Sequence, residues 1–168
     1  MLLSYGGWRR GTAVDQLPDL LAPMGIHTFR ATSGEQSAQL IRSHIIHIAV
    51  VDFDIPLAEG QSAAPTPSPD AAPAGPRILQ LLRRLPGPPP TVVIRPMQAS
   101  HRESSRSLTE ALREGAFAVI DQPLSLESML EVMRRILRRH YANCWPCRDQ
   151  SASTDSHPNR PANPPPFG

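Results

Sequence analysis

The chain has 168 residues, of which 40% are hydrophobic and 19% are charged, a size that suits one ordinary domain with additional segments. Its formal net charge is only +2, which gives no general indication of nucleic acid or a membrane surface as a partner. All 17 basic residues are arginines, and the absence of lysine excludes a Walker-A phosphate loop and any enzyme that uses a lysine Schiff base.

The predicted elements, taken in chain order, alternate between strand and helix. We predict strands at 1–5, 26–30, 45–53, 91–94 and 117–120, and helices at 12–24, 34–43, 76–85, 104–114 and after the capping residue Ser125. The runs IIHIAVVDF, TVVI and FAVI are almost continuously apolar, which is typical of strands covered on both faces. This alternation predicts an α/β fold with a doubly wound, five-stranded parallel sheet, whose site lies at the carboxyl ends of the strands.

Two Pro-rich segments do not follow this pattern. Residues 57–75 form an insertion and residues 143–168 form a tail, and both contain few aliphatic side chains among their many prolines. Such segments cannot bury enough apolar surface to offset the loss of chain entropy. We therefore expect both segments to be disordered, with residues 1–142 forming the domain that contains the insertion.

Signals for export or membrane insertion are not recognised in the sequence. No stretch approaches the ~18 apolar residues of a membrane span. The opening run MLLSYGGWRR places its apolar residues before its arginines, which is the reverse of a secretory signal. The expectation is a cytoplasmic protein without a membrane partner.

Three segments carry a resemblance to a known family. IAVVDFDIP resembles the third strand of response-regulator receiver domains, GPRILQLLRRL resembles their third helix, and ALREGAFAVIDQPLSLESMLEVMRRIL resembles the run from the fourth to the fifth helix. The resemblance covers roughly residues 1–140 and implies a flavodoxin-like receiver architecture. A working receiver accepts a phosphoryl group from a histidine kinase on an aspartate, with Mg²⁺ held by carboxylates, a lysine against the phosphate and a hydroxyl that responds to it.

The resemblance assigns the phospho-acceptor position to Asp52, but the positions around it depart from the family pattern. The degenerate receiver-site positions are Gly6, Gly7, Asp54, Arg95, Gln122 and Pro123. Gly6 and Gly7 stand where an acidic pair is expected, Arg95 stands near the switch hydroxyl, and Gln122 replaces the lysine before the proline. Without the acidic pair, Mg²⁺ is expected only if the Asp52 site functions, and no other cofactor or metal is expected.

These departures predict a pseudo-receiver: a non-enzymatic, phosphorylation-independent protein-interaction module of a two-component (phosphorelay) or related system. A sensor kinase or an output protein is the expected kind of partner, and a homodimer is an alternative. The first alternative function is a genuine phospho-acceptor response regulator that uses Asp52, in which Asp52 and Asp54 would hold the cation weakly.

An arginine cluster near the end of the last predicted helix marks a candidate partner surface. Its members are Arg134, Arg135, Arg138 and Arg139. Arginine suits paired recognition of carboxylates, whereas the competing interpretation is a solvated helix end favoured by the helix dipole. No helix-turn-helix follows the domain, so no nucleic acid is predicted as a partner.

The tail contains a C-x-x-C pair, Cys144 and Cys147, which supports an alternative from another class. With His140 and His157 the two cysteines could supply zinc ligands, and alone they could form a redox pair. A redox pair is favoured at a helix N-terminus, whereas this pair follows a helix C-terminus. A zinc- or thiol-dependent protein stays open beside the interpretation that the cysteines are incidental.

Overall fold

Five strands alternate with helices along the part of the chain that the computed structural model describes, residues 1–6, 13–58, 73–96 and 108–142. The strands are β1 Leu2–Ser4, β2 Phe29–Ala31, β3 Ala49–Asp52, β4 Thr91–Arg95 and β5 Ala118–Asp121. The helices are α1 Ala13–Leu21, α2 Gly34–Ser43, α3 Gly75–Arg83, α4 with helical residues 108–113, and α5 Leu126–Tyr141, with a 3-10 turn at Ala22–Met24. No helix within these ranges is both long and apolar enough to cross a membrane.

The strands form one parallel sheet in the order β2-β1-β3-β4-β5, which confirms the predicted doubly wound, flavodoxin-like architecture. Helices α1 and α5 cover one face, where Leu3, Val50 and Ile94 are fully buried against their apolar side chains. Helices α2 and α3 cover the other face, where Leu2 and Val51 are fully buried. Burial on both faces explains why the central strands read as continuous apolar runs.

Strand β3 is shorter than the sequence predicts, and strand β2 begins later than the sequence predicts. The ladder of β3 starts at Ala49, which is aligned with Leu2 of β1 and with Thr91 of β4. Residues 45–48 precede this ladder, and Ile45 is 80% exposed. The predicted strand at 26–30 instead begins at Phe29, because Gly25 turns the chain with a φ of 77°.

Helix α2 packs on the sheet through a polar contact that apolar periodicity does not reveal. Ser33 caps the helix, and its Oγ accepts a hydrogen bond from the backbone N–H of Gln36 at 3.2 Å. The hydroxyl groups of Ser37 and Ser4 are 2.8 Å apart, and both residues are fully buried. Each hydroxyl therefore has a partner at the place where an unpaired group would be costly.

The predicted insertion is shorter than residues 57–75 at its carboxyl end, because Gly75 is already the first residue of α3. The flanks of the insertion are fixed by backbone hydrogen bonds. The N–H of Gly34 donates to the carbonyl of Pro56 at 2.8 Å, and the N–H of Glu35 donates to that of Leu57 at 3.0 Å. The N–H of Ala74 donates to the carbonyl of Ile55 at 2.9 Å. Residues 59–72 and the tail 143–168 lie outside the described residues.

Helix α5 closes the face that contains α1. Ser125 is its N-cap, as predicted, and accepts a hydrogen bond from the N–H of Ser128 at 3.0 Å. Met129, Met133 and Ile136 are buried along its inner side. The four arginines of the predicted cluster lie on its exposed surface.

Candidate functional site

Four positions of interest lie together at the carboxyl edge of the sheet. Asp52, Arg95 and Asp121 are the last residues of β3, β4 and β5, and Gly6 follows β1 by two residues. Because all strands are parallel, their carboxyl ends meet at one edge, where ligands bind in sheets of this kind. The sequence-based expectation that the site residues share this edge is therefore consistent with the topology.

Asp52 is a buried carboxylate whose two oxygens face backbone amides. Its side-chain Oδ1 accepts a hydrogen bond from the N–H of Asp54 at 3.1 Å, and Oδ2 accepts one from the N–H of Gly6 at 3.3 Å. The residue is 6% exposed, and this burial raises the pKa of the Asp52 carboxyl. The two amide hydrogen bonds act in the opposite direction, and the neighbouring Asp54 charge raises the pKa further. The net effect favours the neutral acid.

The neighbourhood of Gly6 has no room for the acidic side chain that a receiver carries there. A Cβ atom at Gly6 would lie 2.8 Å from the Cδ of Pro56, so a carboxylate requires a shift of the turn after β3. Pro56 is held in that turn, because its carbonyl accepts the hydrogen bond from Gly34. Gly7, the second position of the expected acidic pair, lies outside the described residues.

The carboxylates at this edge do not fit a Mg²⁺ site. Hard divalent cations take six or more oxygen ligands, several of them carboxylates. Asp52 ends β3, and Asp54 follows it by two residues. Burial raises the pKa of Asp54 as well. Among residues 1–6, 13–58, 73–96 and 108–142, no three His, Cys, Asp or Glu side chains are grouped as metal ligands.

Arg95 is engaged in an ion pair that the sequence analysis missed. Its Nε lies 2.5 Å from Oδ1 of Asp121, and its Nη2 lies 3.2 Å from Oδ2 of the same residue. The two residues are aligned in the β4–β5 ladder. The Arg95 side chain is 4% exposed and that of Asp121 is 56% exposed. Bidentate pairing of this kind fixes both the position and the orientation of the guanidinium.

Gln122 and Pro123 follow β5 at the same edge. The N–H of Gln122 donates to the carbonyl of Arg95 at 2.9 Å, and the Gln122–Pro123 peptide bond is cis. Gln122 thus occupies the turn before the proline, as the resemblance predicts, with a neutral amide where a receiver has a cation.

The arginine cluster on α5 is separate from this edge site. Arg134, Arg135, Arg138 and Arg139 are all exposed. The guanidinium carbon of Arg139 lies 6.0 Å from the ring centre of Phe117, whose ring also contacts that of His140 at 5.3 Å. Cys144 and Cys147, with the second candidate ligand His157, lie outside the described residues, so the zinc or thiol alternative stays a prediction.

Searches with this sequence and structure give a divided result. No protein-family model matches the sequence, and no curated protein matches it. Solved structures do match the fold, and several of them are described as receiver domains.

A CheY-like receiver domain protein from Methanospirillum hungatei has a TM-score of 0.59 and 18% identity, over 85% of this chain and 96% of that one. The receiver domain of NtrX from Brucella abortus has a TM-score of 0.59 and 17% identity, over 82% of this chain and 98% of that one. A signal receiver domain of an HD domain-containing protein from Pseudomonas fluorescens has a TM-score of 0.58 and 15% identity, over 84% and 95%. With its β2-β1-β3-β4-β5 parallel sheet and an aspartate ending the central strand, the chain has the fold of response-regulator receiver domains.

Proposed function

We propose that this chain is a receiver-like module of a two-component (phosphorelay) or related signalling system that binds a protein partner without a phosphate-driven switch. It has no catalytic residues in this proposal. The observation that supports this proposal is the closed environment of Asp52. Its carboxylate oxygens accept hydrogen bonds from backbone N–H groups, and Pro56 leaves no room for a side chain at the neighbouring Gly6.

Phosphoryl transfer to Asp52 would need positive charge at this edge. Transfer to a carboxylate relies on a bound metal and cationic groups to offset the charge of the transferring group. The chain contains no lysine, Gln122 is neutral, and the charge of Arg95 is directed to Asp121. Within the part of the chain that the structure describes, these positions therefore give Asp52 no cationic support for the reaction.

The test is incubation of the protein with acetyl phosphate and Mg²⁺, followed by measurement of the intact mass. We expect no phosphoryl adduct on the wild-type chain. Asp52→Asn is the matched control, because any adduct that it retains lies elsewhere. An adduct on the wild type that is absent from Asp52→Asn overturns the proposal.

That outcome would support the second candidate, a genuine phospho-acceptor response regulator. The observation in its favour is the position of Asp52 at the carboxyl end of the central strand β3, next to the point where the strand order reverses. Binding of a hydrated Mg²⁺ between Asp52 and Asp54 is the step that this candidate needs.

The proposed partner surface is the exposed side of α5 with its four arginines. Arginine is enriched at protein interfaces and pairs with carboxylates through two parallel hydrogen bonds. A sensor kinase, an output protein or a second copy of this chain that presents carboxylates would fit this surface. Leu130 on the same helix is 38% exposed and adds apolar area to this surface.

A further inference from the structure

The carboxyl ends of β4 and β5 are joined through side chains as well as through the ladder. The Arg95–Asp121 pair spans the two strands with two hydrogen bonds, and the N–H of Gln122 donates to the carbonyl of Arg95. A guanidinium keeps its charge at any physiological pH. With a side chain that is 4% exposed, Arg95 therefore needs a partner carboxylate for as long as the chain is folded.

The pair is also separated from Asp52 by the sheet. Side chains alternate between the two faces along a strand. Asp52 follows Val50 by two residues and continues the face covered by α1 and α5, to which Val50 belongs. Arg95 follows Val93 by two residues and continues the opposite face, where Val93 packs with residues of α3 and α4. The charge of Arg95 is thus directed away from the Asp52 carboxylate.

We propose that the Arg95–Asp121 pair is a permanent latch, which holds the β4–β5 edge in one conformation whatever the charge at Asp52. The connection to signalling rests on the proposed phosphorylation-independent function, whereas the latch itself depends only on the ion pair. Arg95, which stands near the switch hydroxyl of a receiver, is here bound to the residue that ends the neighbouring strand. The surface formed by β5 and α5 would consequently be presented in a single state.

The latch can be tested by amide hydrogen exchange of β4, β5 and Gln122, measured by NMR on the full chain. Asp121→Asn removes the carboxylate charge that faces the buried guanidinium. We expect exchange at these amides to accelerate by about tenfold or more, because the guanidinium is buried, the loss of its paired carboxylate is costly, and local opening is set by local stability. Asp121→Glu keeps a carboxylate and should restore most of the protection.

A matched control is provided by another ion pair among the described residues, Arg83–Glu114. Its atoms are 3.9 Å apart and its side chains are 61% and 29% exposed. Arg83→Gln should change exchange in β4 and β5 by less than about twofold, because exposed pairs contribute little. Equal exchange in Asp121→Asn and wild type, or equal acceleration in Arg83→Gln, overturns the latch.

Insensitivity to Asp52 is measured in the same way. In the wild-type background, Asp52→Asn should leave exchange in β4 and β5 within about twofold of wild type. In the Asp121→Asn background, the same substitution should change exchange in β4 and β5 by more than twofold. A clear response of β5 to Asp52→Asn in the presence of the latch overturns the proposal. A phosphoryl adduct at Asp52 with unchanged β4–β5 exchange would instead remove the proposed function and leave the latch standing.

Discussion

Asp52 is the residue whose environment bears most directly on function. Its carboxylate is buried, and among the described residues its hydrogen-bond partners are two backbone N–H donors and no cation. Burial outweighs these hydrogen bonds, so the pKa of Asp52 lies above its ordinary value. Ionisation of Asp52 is therefore less favourable in the folded protein than in the unfolded chain, which makes stability depend on pH.

Asp52→Asn is expected to remove the pH dependence of stability that Asp52 causes, because asparagine does not titrate. The Nδ2 group of asparagine cannot accept one of the two backbone hydrogen bonds that the carboxylate accepts, so the prediction concerns the change with pH and not the stability at one pH. The raised folded-state pKa means that the folded wild type binds a proton before the unfolded chain does. Wild-type stability should therefore rise relative to that of the variant as the pH falls through the folded-state pKa toward 3.8, the ordinary value. Denaturant unfolding at stepwise lower pH measures the difference, and a difference that moves in favour of the variant on acidification contradicts the prediction.

A second prediction at the scale of single residues concerns Gly6. Gly6→Asp supplies the carboxylate that receivers have near this position, but its Cβ would lie 2.8 Å from Pro56 Cδ. We expect a loss of about 1–3 kcal/mol in stability from overpacking, without a gain in Mg²⁺ affinity. Gly87→Ala is the control, because nothing lies within 4 Å of a Cβ there. Calorimetric Mg²⁺ titration would contradict the prediction if Gly6→Asp bound the metal tightly.

At the scale of elements, helix α5 combines a buried apolar side with an exposed basic end. The N-cap and the buried methionines could be predicted from sequence, because a capping serine and a 3.6-residue period are local signals. Leu130 follows the buried Met129 but is 38% exposed, since the core contacts centre on Met129, Met133 and Ile136. Exposure of Leu130 places an apolar side chain beside the charged surface.

Charge reversal of Arg135 and Arg138 to Glu tests the proposed partner surface. We expect weaker association with an acidic partner or a second copy, measured by pull-down and analytical ultracentrifugation. Stability should change little, because exposed charges contribute only ~0 to 1 kcal/mol. Arg42→Glu with Arg84→Glu is the control of equal net charge, because both of these arginines are also exposed. Identical association of the α5 double variant and wild type would place the contact elsewhere.

Helices and strands differ in how far their bounds could be predicted. Helix α2 was predicted at 34–43 and is observed at Gly34–Ser43, because Ser33 caps it through local backbone contacts. Strand β3 was predicted at 45–53 but pairs only over Ala49–Asp52, because its ladder depends on the register with β1 and β4. Register is a long-range property that an apolar run does not specify.

At the scale of the whole molecule, the doubly wound parallel sheet was predicted from the alternation of strand and helix, and its flavodoxin-like architecture was implied by the resemblance, but the contents of the site were not predicted. The sequence placed Asp52 and Arg95 at strand ends correctly. The pairing of Arg95 with Asp121 depends on the β4–β5 register, and the contact of Gly6 with Pro56 joins residues that are far apart in the chain. The sequence did contain a signal for the Arg95–Asp121 pair: an aspartate ends the strand FAVID, and an arginine ends the neighbouring strand TVVIR.

The whole-molecule prediction is that the stability of this fold is independent of Mg²⁺. Millimolar Mg²⁺ should leave the melting temperature unchanged, because a cation stabilises the folded state only in proportion to its binding. Calcium and sodium chloride at equal ionic strength control for screening. A rise in melting temperature that is specific to Mg²⁺ and absent in Asp52→Asn would contradict the prediction.

The chain leaves the core at Leu57 and re-enters it at Ala74, and the start of α2 contacts both residues. Two points this close can be joined by a short turn or by an entire guest domain, since loop closure costs only ~0.6 kcal/mol more for each doubling of length. Selection for a stable core therefore places almost no constraint on the length of the sequence between them. An engineer could graft a fluorescent reporter at this position while the sheet, the latch and the α5 surface keep their geometry.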